Sequence, residues 1–149
     1  MKLSDALSGV SRIGFDTSPI IYFVESNPNY VDVMRSIFQQ VDSGTLTGCT
    51  GMITLSEVLV KPLQNGNRFL ADAYRTILFN SRNFYIVPID AAVAERAAEL
   101  RSRYKLKLPD ALQVVAALEA GCNAFLTNDR HYLKSITELN ILFCDDLEL

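Results

Sequence analysis

Short apolar runs, two of them ending on acidic residues, alternate with helix-period segments along this chain. That alternation restricts the fold more than any other feature. Arg12–Phe15 reads as a strand terminating at Asp16, residues 46–50 as a second, residues 84–89 as a buried third, Ala124–Thr127 as a fourth ending in Asn128-Asp129, and residues 141–144 as a last one. Between them, Ser18 as N-cap and Pro19 at the first helical position open a helix. Val31, Met34, Ile37, Phe38 and Val41 form an apolar stripe that ends at Gly44, and a third helix starts near Thr54. Leu70, Ala73, Tyr74 and Ile77 give another stripe. Asp90 is placed to cap a helix carrying Val93, Ala97, Leu100 and Tyr104, and Pro109 opens one that stops at Gly121. Strands alternating with helices imply a mostly parallel α/β sheet covered on both faces.

Nothing divides the chain. It has 149 residues, 49% of them hydrophobic and 21% charged, enough to bury one core, with no Pro/Gly/Ser-rich linker and no repeat, so residues 1–149 read as a single domain. Three cysteines, Cys49, Cys122 and Cys144, at wide spacing with no Cys-x-x-Cys and a single histidine support neither a disulfide framework nor a structural zinc site. They read as small apolar core residues with nothing nearby to lower a thiol pKa. The start at Met1 lacks an apolar leader, and runs such as residues 20–24 are far too short to span a bilayer, so a soluble cytoplasmic protein without a membrane partner is expected. A net charge of −3 is not that of a protein that grips phosphates over a wide basic face; contact with nucleic acid would be local or metal-mediated.

In an open parallel sheet, ligands bind beyond the carboxyl ends of the strands, where Asp16 and Asp129 fall. Asp110 follows Pro109 in the first turn of its helix, at the positive end of the macrodipole, and Glu57 lies one turn into another helix. Four converging carboxylates repel one another: at ~4 Å and an effective dielectric of ~20, a close pair costs roughly 4 kcal/mol. A divalent cation removes that cost. An all-carboxylate set suits Mg²⁺ or Mn²⁺, which also bridge to phosphates and lower the pKa of a bound water, so hydrolysis of a phosphodiester is the matching chemistry. Each acid also has a structural explanation. Asp16 can cap the helix after it, Thr54-Leu55-Ser56-Glu57 matches a capping box, and Asp110 and Asp129 sit at ordinary dipole and turn positions. The residues alone reach an acidic pocket.

Together, Phe15-Asp16-Thr17-Ser18 with Ile20-Ile21-Tyr22, Ser56-Glu57-Val58, Leu108-Pro109-Asp110-Ala111 with Val115-Ala116-Ala117, and Leu126-Thr127-Asn128-Asp129 resemble the PIN-domain nucleases, most closely the VapC-type toxins of toxin–antitoxin pairs. The resemblance runs from Phe15 to about residue 132. It implies a PIN-domain-like (Rossmann-like) three-layer α/β/α fold, Mg²⁺ (or Mn²⁺) in an acidic pocket and cleavage of RNA, with a cognate antitoxin as partner in a type II system and a homodimer as the usual assembly. By position, Asp16, Glu57, Asp110 and Asp129 would be both the catalytic and the metal-binding acids, with Thr17 and Asn128 supporting them. One departure is Asp129-Arg130-His131, where some relatives carry a further acid. His131 reads as a surface residue of a short helix. Arg101, Arg103, Lys105 and Lys107 form either a solvated helix end or an RNA-guiding rim. The apolar stretch from Phe69 to Leu78 fits a dimer seam or an ordinary core. Two alternatives stand beside the nuclease: a non-catalytic PIN-fold module that binds RNA or a partner, and a phosphoacceptor or phosphatase using Asp16 as nucleophile.

Overall fold

A computed structural model describes residues 1–149, except the side chain of Tyr132. Its centre is a five-stranded sheet in the order β3-β2-β1-β4-β5, every pairing parallel. The strands are β1 (Arg12–Phe15), β2 (Thr47–Gly51), β3 (Phe84–Val87), β4 (Ala124–Thr127) and β5 (Asn140–Phe143). The helices are α1 (Leu3–Ala6), α2 (Thr17–Val24), α3 (Val31–Asp42), α4 (Ile53–Gln64), α5 (Arg68–Asn80), α6 (Ala91–Arg103), α7 (Leu108–Glu119) and α8 (Arg130–Leu133), followed after β5 by a 3₁₀ turn at Cys144–Asp146.

The period of two along a strand splits the core into two layers. Ile13 and Phe15 of β1 and Ala124 and Leu126 of β4 point into a layer with Ile20, Met34, Ile37, Phe38, Tyr74 and Leu78 from α2, α3 and α5. Phe125, one residue out of phase, packs with Val93, Ala97, Leu100, Val114 and Val115 of α6 and α7. A sheet with helices on both faces is the three-layer α/β/α arrangement expected from the alternation. Gly14 faces α7, where a Cβ would stand 2.7 Å from Ala117 Cβ; the missing side chain lets α7 lie directly on β1. Because α7 leads through Gly121 into β4, its C-terminus is at the amino ends of the strands. Its N-terminus, bearing Asp110, is therefore at their carboxyl ends.

Several boundaries differ from the sequence reading. Helix α2 begins at Thr17, one residue before the expected cap Ser18, because the Asp16 carboxylate already accepts the Thr17 N–H at 2.8 Å. The Thr54–Glu57 capping box does not form. Helix α4 starts at Ile53 after Met52, and both side chains are used elsewhere. Strand β3 is not a buried central strand but an edge strand, with Phe84 inward and Tyr85 60% exposed. Tyr104 lies just past α6 rather than on its face. The Asp90 cap, its carboxylate accepting the Val93 N–H at 2.9 Å, and Pro109 in the first turn of α7 stand as expected. Within α5, Ala71, Tyr74 and Leu78 are core, whereas Phe69 is 87% exposed. Among the described residues no helix is long and apolar enough to cross a membrane.

Candidate active site

Asp16 leaves the end of the central strand with its carboxylate buried. Oδ1 accepts the Thr17 N–H and Oδ2 accepts the Thr127 hydroxyl at 2.7 Å, across the seam between β1 and β4. The same Thr127 oxygen accepts the Asp129 N–H at 3.1 Å, which turns the chain after β4 and sets Asp129 beside Asp16. Burial is the main cause of a pKa raised above the usual Asp range. The two hydrogen bonds oppose the rise, and the charges of Glu57 and Asp129 add to it.

Glu57 is held from below. Its Oε1 accepts the Thr17 hydroxyl at 2.8 Å, and the Thr17 oxygen in turn accepts from Gln113 Nε2 at 3.0 Å. Gln113 is wholly buried. Its Nε2 also donates to Thr54 at 2.6 Å, and its Oε1 accepts the Gly51 N–H at 3.0 Å. Thr50 and Thr54 share a 2.7 Å hydrogen bond, and a 2.9 Å bond from Thr50 to the Phe15 carbonyl ties the network to β1. Gly51 is needed here, since a Cβ would lie 2.8 Å from Gln113 Oε1. The polar set is thus buried and paired, which is the condition under which polar side chains in a core fix one arrangement.

Asp110, half-buried in the first turn of α7, has its pKa pushed up to about 6. Burial comes first, followed by the charges of Asp16, Asp129 and Glu57, and nearby Lys107 offsets only part. All four acids named from the sequence therefore stand within electrostatic reach of one another at the carboxyl edge of the sheet. Among the described residues, no three His, Cys, Asp or Glu side chains are already assembled into a metal-holding shell. Two cavities of about 520 and 530 Å³ lie elsewhere, one between α3 and α5 and the other at the α4–α5 turn.

The supporting residues divide. Thr17 contacts Glu57 directly. Asn128 instead donates its amide to Tyr30 and Asp145, both at 3.2 Å, and accepts the Asp145 N–H at 3.1 Å, so it fastens the 3₁₀ turn after β5 beneath the stacked Tyr22 and Tyr30 rings. Of the basic residues, Arg101 Nε donates to the Leu106 carbonyl and Arg103 pairs with Glu138 at 3.4 Å. Lys105 and Lys107 are exposed, Lys107 next to Asp110. His131 is on the surface of α8 as expected. From the sequence, Thr54 reads only as part of a capping box and Thr127 only as part of the last motif, and Gln113 is not named at all. Gln113 carried one faint signal, a lone amide in the apolar α7 segment, three residues after Asp110.

Fold and site together define an α/β domain with four carboxylates at the carboxyl edge of an all-parallel sheet. The family model for the PIN domain matches residues 13–139, and the chain belongs to that family. No curated protein sequence matches it. Among solved structures, it is similar to a toxin–antitoxin complex from Klebsiella pneumoniae (23% identity, TM-score 0.67, covering 89% of this chain and 97% of that one). It is also similar to VapBC2 from Rickettsia felis bound to a DNA fragment from its promoter (16%, 0.71, 89% and 98%). A third likeness is to the sarcin–ricin loop cleaving toxin VapC20 of Mycobacterium tuberculosis (16%, 0.65, 86% and 98%). At these identities the likeness is one of fold.

Proposed function

We propose that this chain is a metal-dependent endoribonuclease that hydrolyses RNA phosphodiester bonds, and that it is the toxin of a type II toxin–antitoxin pair. The observation that carries the reading is the gathering of Asp16, Glu57, Asp110 and Asp129 at the carboxyl edge of the sheet, where burial first, and then the charges of the other three, raise the pKa of Asp110 to about 6. Four acids near one edge, with Lys107 beside Asp110, suit a cation by charge and by donor type. Hard oxygen donors without Cys or His fit Mg²⁺ or Mn²⁺. The four carboxylates would hold the cation, which when bound would supply a lowered pKa for an attacking water and neutralise charge developing on the phosphate.

The chain's own groups do the rest. Thr127 and the Thr17 N–H keep both Asp16 oxygens fixed, and the Thr17–Gln113–Thr54 network keeps Glu57 oriented. Lys105 and Lys107, exposed before Asp110, would meet an RNA backbone. The toxin assignment and the antitoxin partner rest on the similar complexes, which are themselves toxin–antitoxin assemblies. A homodimer would bury the exposed Leu63 and Phe69 at the α4–α5 turn, and cytoplasmic residence follows from an RNA substrate.

The test is RNA cleavage by the purified protein with Mg²⁺ or Mn²⁺, with chelator, and in Asp16→Asn and Asp110→Asn. Cleavage that needs the cation and falls at least 100-fold in both variants supports the reading. Wild-type turnover in either variant overturns the role given to that acid.

A further inference from the structure

Cys49 and Cys122, 73 residues apart in the chain, bring their Sγ atoms to 3.2 Å, and neither is in a disulfide. For Cys49 and Cys122 this corrects the reading of the cysteines as small apolar core residues with nothing nearby to lower a thiol pKa. Cys49 on β2 is in register with Gly14 on β1, so both positions face α7, and the absent side chain at Gly14 leaves the space that Ala117 and the chain after it occupy. The Cys122 N–H closes on the Ala117 carbonyl at 2.9 Å, which turns its thiol back over the sheet. A cavity of about 220 Å³, lined by Arg12, Tyr85 and Ala120 among others, reaches both sulfurs from outside. Cys49 is buried and Cys122 half-buried, so a reagent entering there meets Cys122 first.

The two thiols are electrostatically unlike. The hydrogen bond between them and the Arg12 charge lower the Cys122 pKa, while the same bond and burial raise that of Cys49. Cys122, the more exposed of the two and reached from the cavity that Arg12 lines, is the thiol set to attack, and buried Cys49 the neighbour set to resolve.

We propose that Cys49 and Cys122 form an oxidisable dithiol, a modification site at which a hydroperoxide converts the pair to an intramolecular disulfide. The Cys122 thiolate attacks the outer peroxide oxygen, the O–O bond breaks and the alcohol leaves with a proton, giving a sulfenic acid. Cys49 sulfur then attacks the Cys122 sulfur, the S–O bond breaks and hydroxide leaves as water with the Cys49 proton. Two thiols lose two electrons, and the hydroperoxide is reduced to alcohol and water. The closure needs a displacement of about 1 Å, since a disulfide bond is ~2.05 Å long. The product would staple β2 to the segment between α7 and β4 at the amino ends of the strands, the edge opposite the four acids. The inference is therefore independent of the nuclease reading.

The full chain, reduced and then treated with near-stoichiometric hydrogen peroxide, is mapped by peptide mass under non-reducing conditions. The expected result is a linked pair of peptides containing Cys49 and Cys122 in most molecules, dissolved by dithiothreitol. In Cys49→Ala, Cys122 should be trapped by dimedone as sulfenic acid, and in Cys122→Ala, Cys49 should stay a thiol. Retention of both thiols, links between copies, or oxidation of buried Cys144 ahead of the pair would overturn the proposal.

Discussion

The Thr127 hydroxyl donates to Asp16 Oδ2 at 2.7 Å, and it is the side-chain partner that opposes the desolvation of that buried carboxylate. The two residues end adjacent strands, β4 and β1, so their bond locks the edge of the sheet on which the acids stand.

Thr127→Val keeps the shape and removes the donor. The buried Asp16 oxygen then lacks a partner, as does the Asp129 N–H, and the variant should lose roughly 1.5–3 kcal/mol at neutral pH. The Asp16 pKa rises further, because a bond that lowered it is gone. The acid limb of the cleavage rate should move to higher pH, and Thr127→Ser should restore both properties. Chemical denaturation and a pH–rate profile measure this; an unmoved acid limb in the Val variant would detach Asp16 from the chemistry.

Asp110 gives a stability prediction whose sign runs opposite to that of an ordinary paired carboxylate. Its folded pKa of about 6 lies above the unfolded value of ~3.9, so the folded state binds the proton more tightly. Above pH 6 its charge destabilises the metal-free fold, and that penalty fades as pH falls from about 6 towards 4. Asp110→Asn should therefore melt higher than wild type at pH 8, by about 1–2 kcal/mol after allowance for partial exposure, and no higher near pH 4. Calorimetry in chelator at both pH values decides. A variant less stable at pH 8 would make Asp110 a helix-start residue and no more.

The sequence carried the layout well because the signals that set it are local. Strand runs with Asp16 and Asp129 just beyond them, the Asp90 cap, and Pro109 with Asp110 at the start of α7 each depend on a few adjacent residues. The capping-box expectation at Thr54 failed because that pattern reads the same whether its hydroxyl turns to its own helix or to a neighbour. Here Gln113, 59 residues away, takes it. Likewise Asn128 was grouped with the acids by adjacency, yet Asp145 and Tyr30 arrive from elsewhere and claim its amide. The Cys49–Cys122 contact depends on a glycine in a third element, which no spacing rule encodes.

The basic segment separates into two pairs with different expected effects. Arg101 Nε donates to the Leu106 carbonyl and Arg103 pairs with Glu138, and Lys105 and Lys107 are exposed ahead of Asp110, which feels the Lys107 charge. Lys105→Glu with Lys107→Glu should weaken RNA binding and reduce the slope of log K against log salt by about 1–2. Arg103→Ala should leave that slope alone and cost at most about 1 kcal/mol of stability, as exposed ion pairs do. Binding titrations at several salt concentrations test both; equal slopes in all proteins would remove the rim.

Cation binding should be visible without substrate. The four carboxylates repel one another, so a cation that draws them together would bind the folded chain and not the unfolded one. At ~100 times its dissociation constant it should add about 2.7 kcal/mol, a rise of a few degrees in melting temperature for a chain of this size. Mn²⁺ should therefore raise the wild-type transition in proportion to log concentration once saturation begins. Asp16→Asn removes the most buried of the four charges while leaving one side-chain oxygen to accept from Thr127 or Thr17, so its metal-free transition should be equal to or above that of wild type and its Mn²⁺ response small. A metal-free transition several degrees lower would make Asp16 chiefly a structural cap of α2. A full Mn²⁺ shift in the variant would put the cation elsewhere on the chain.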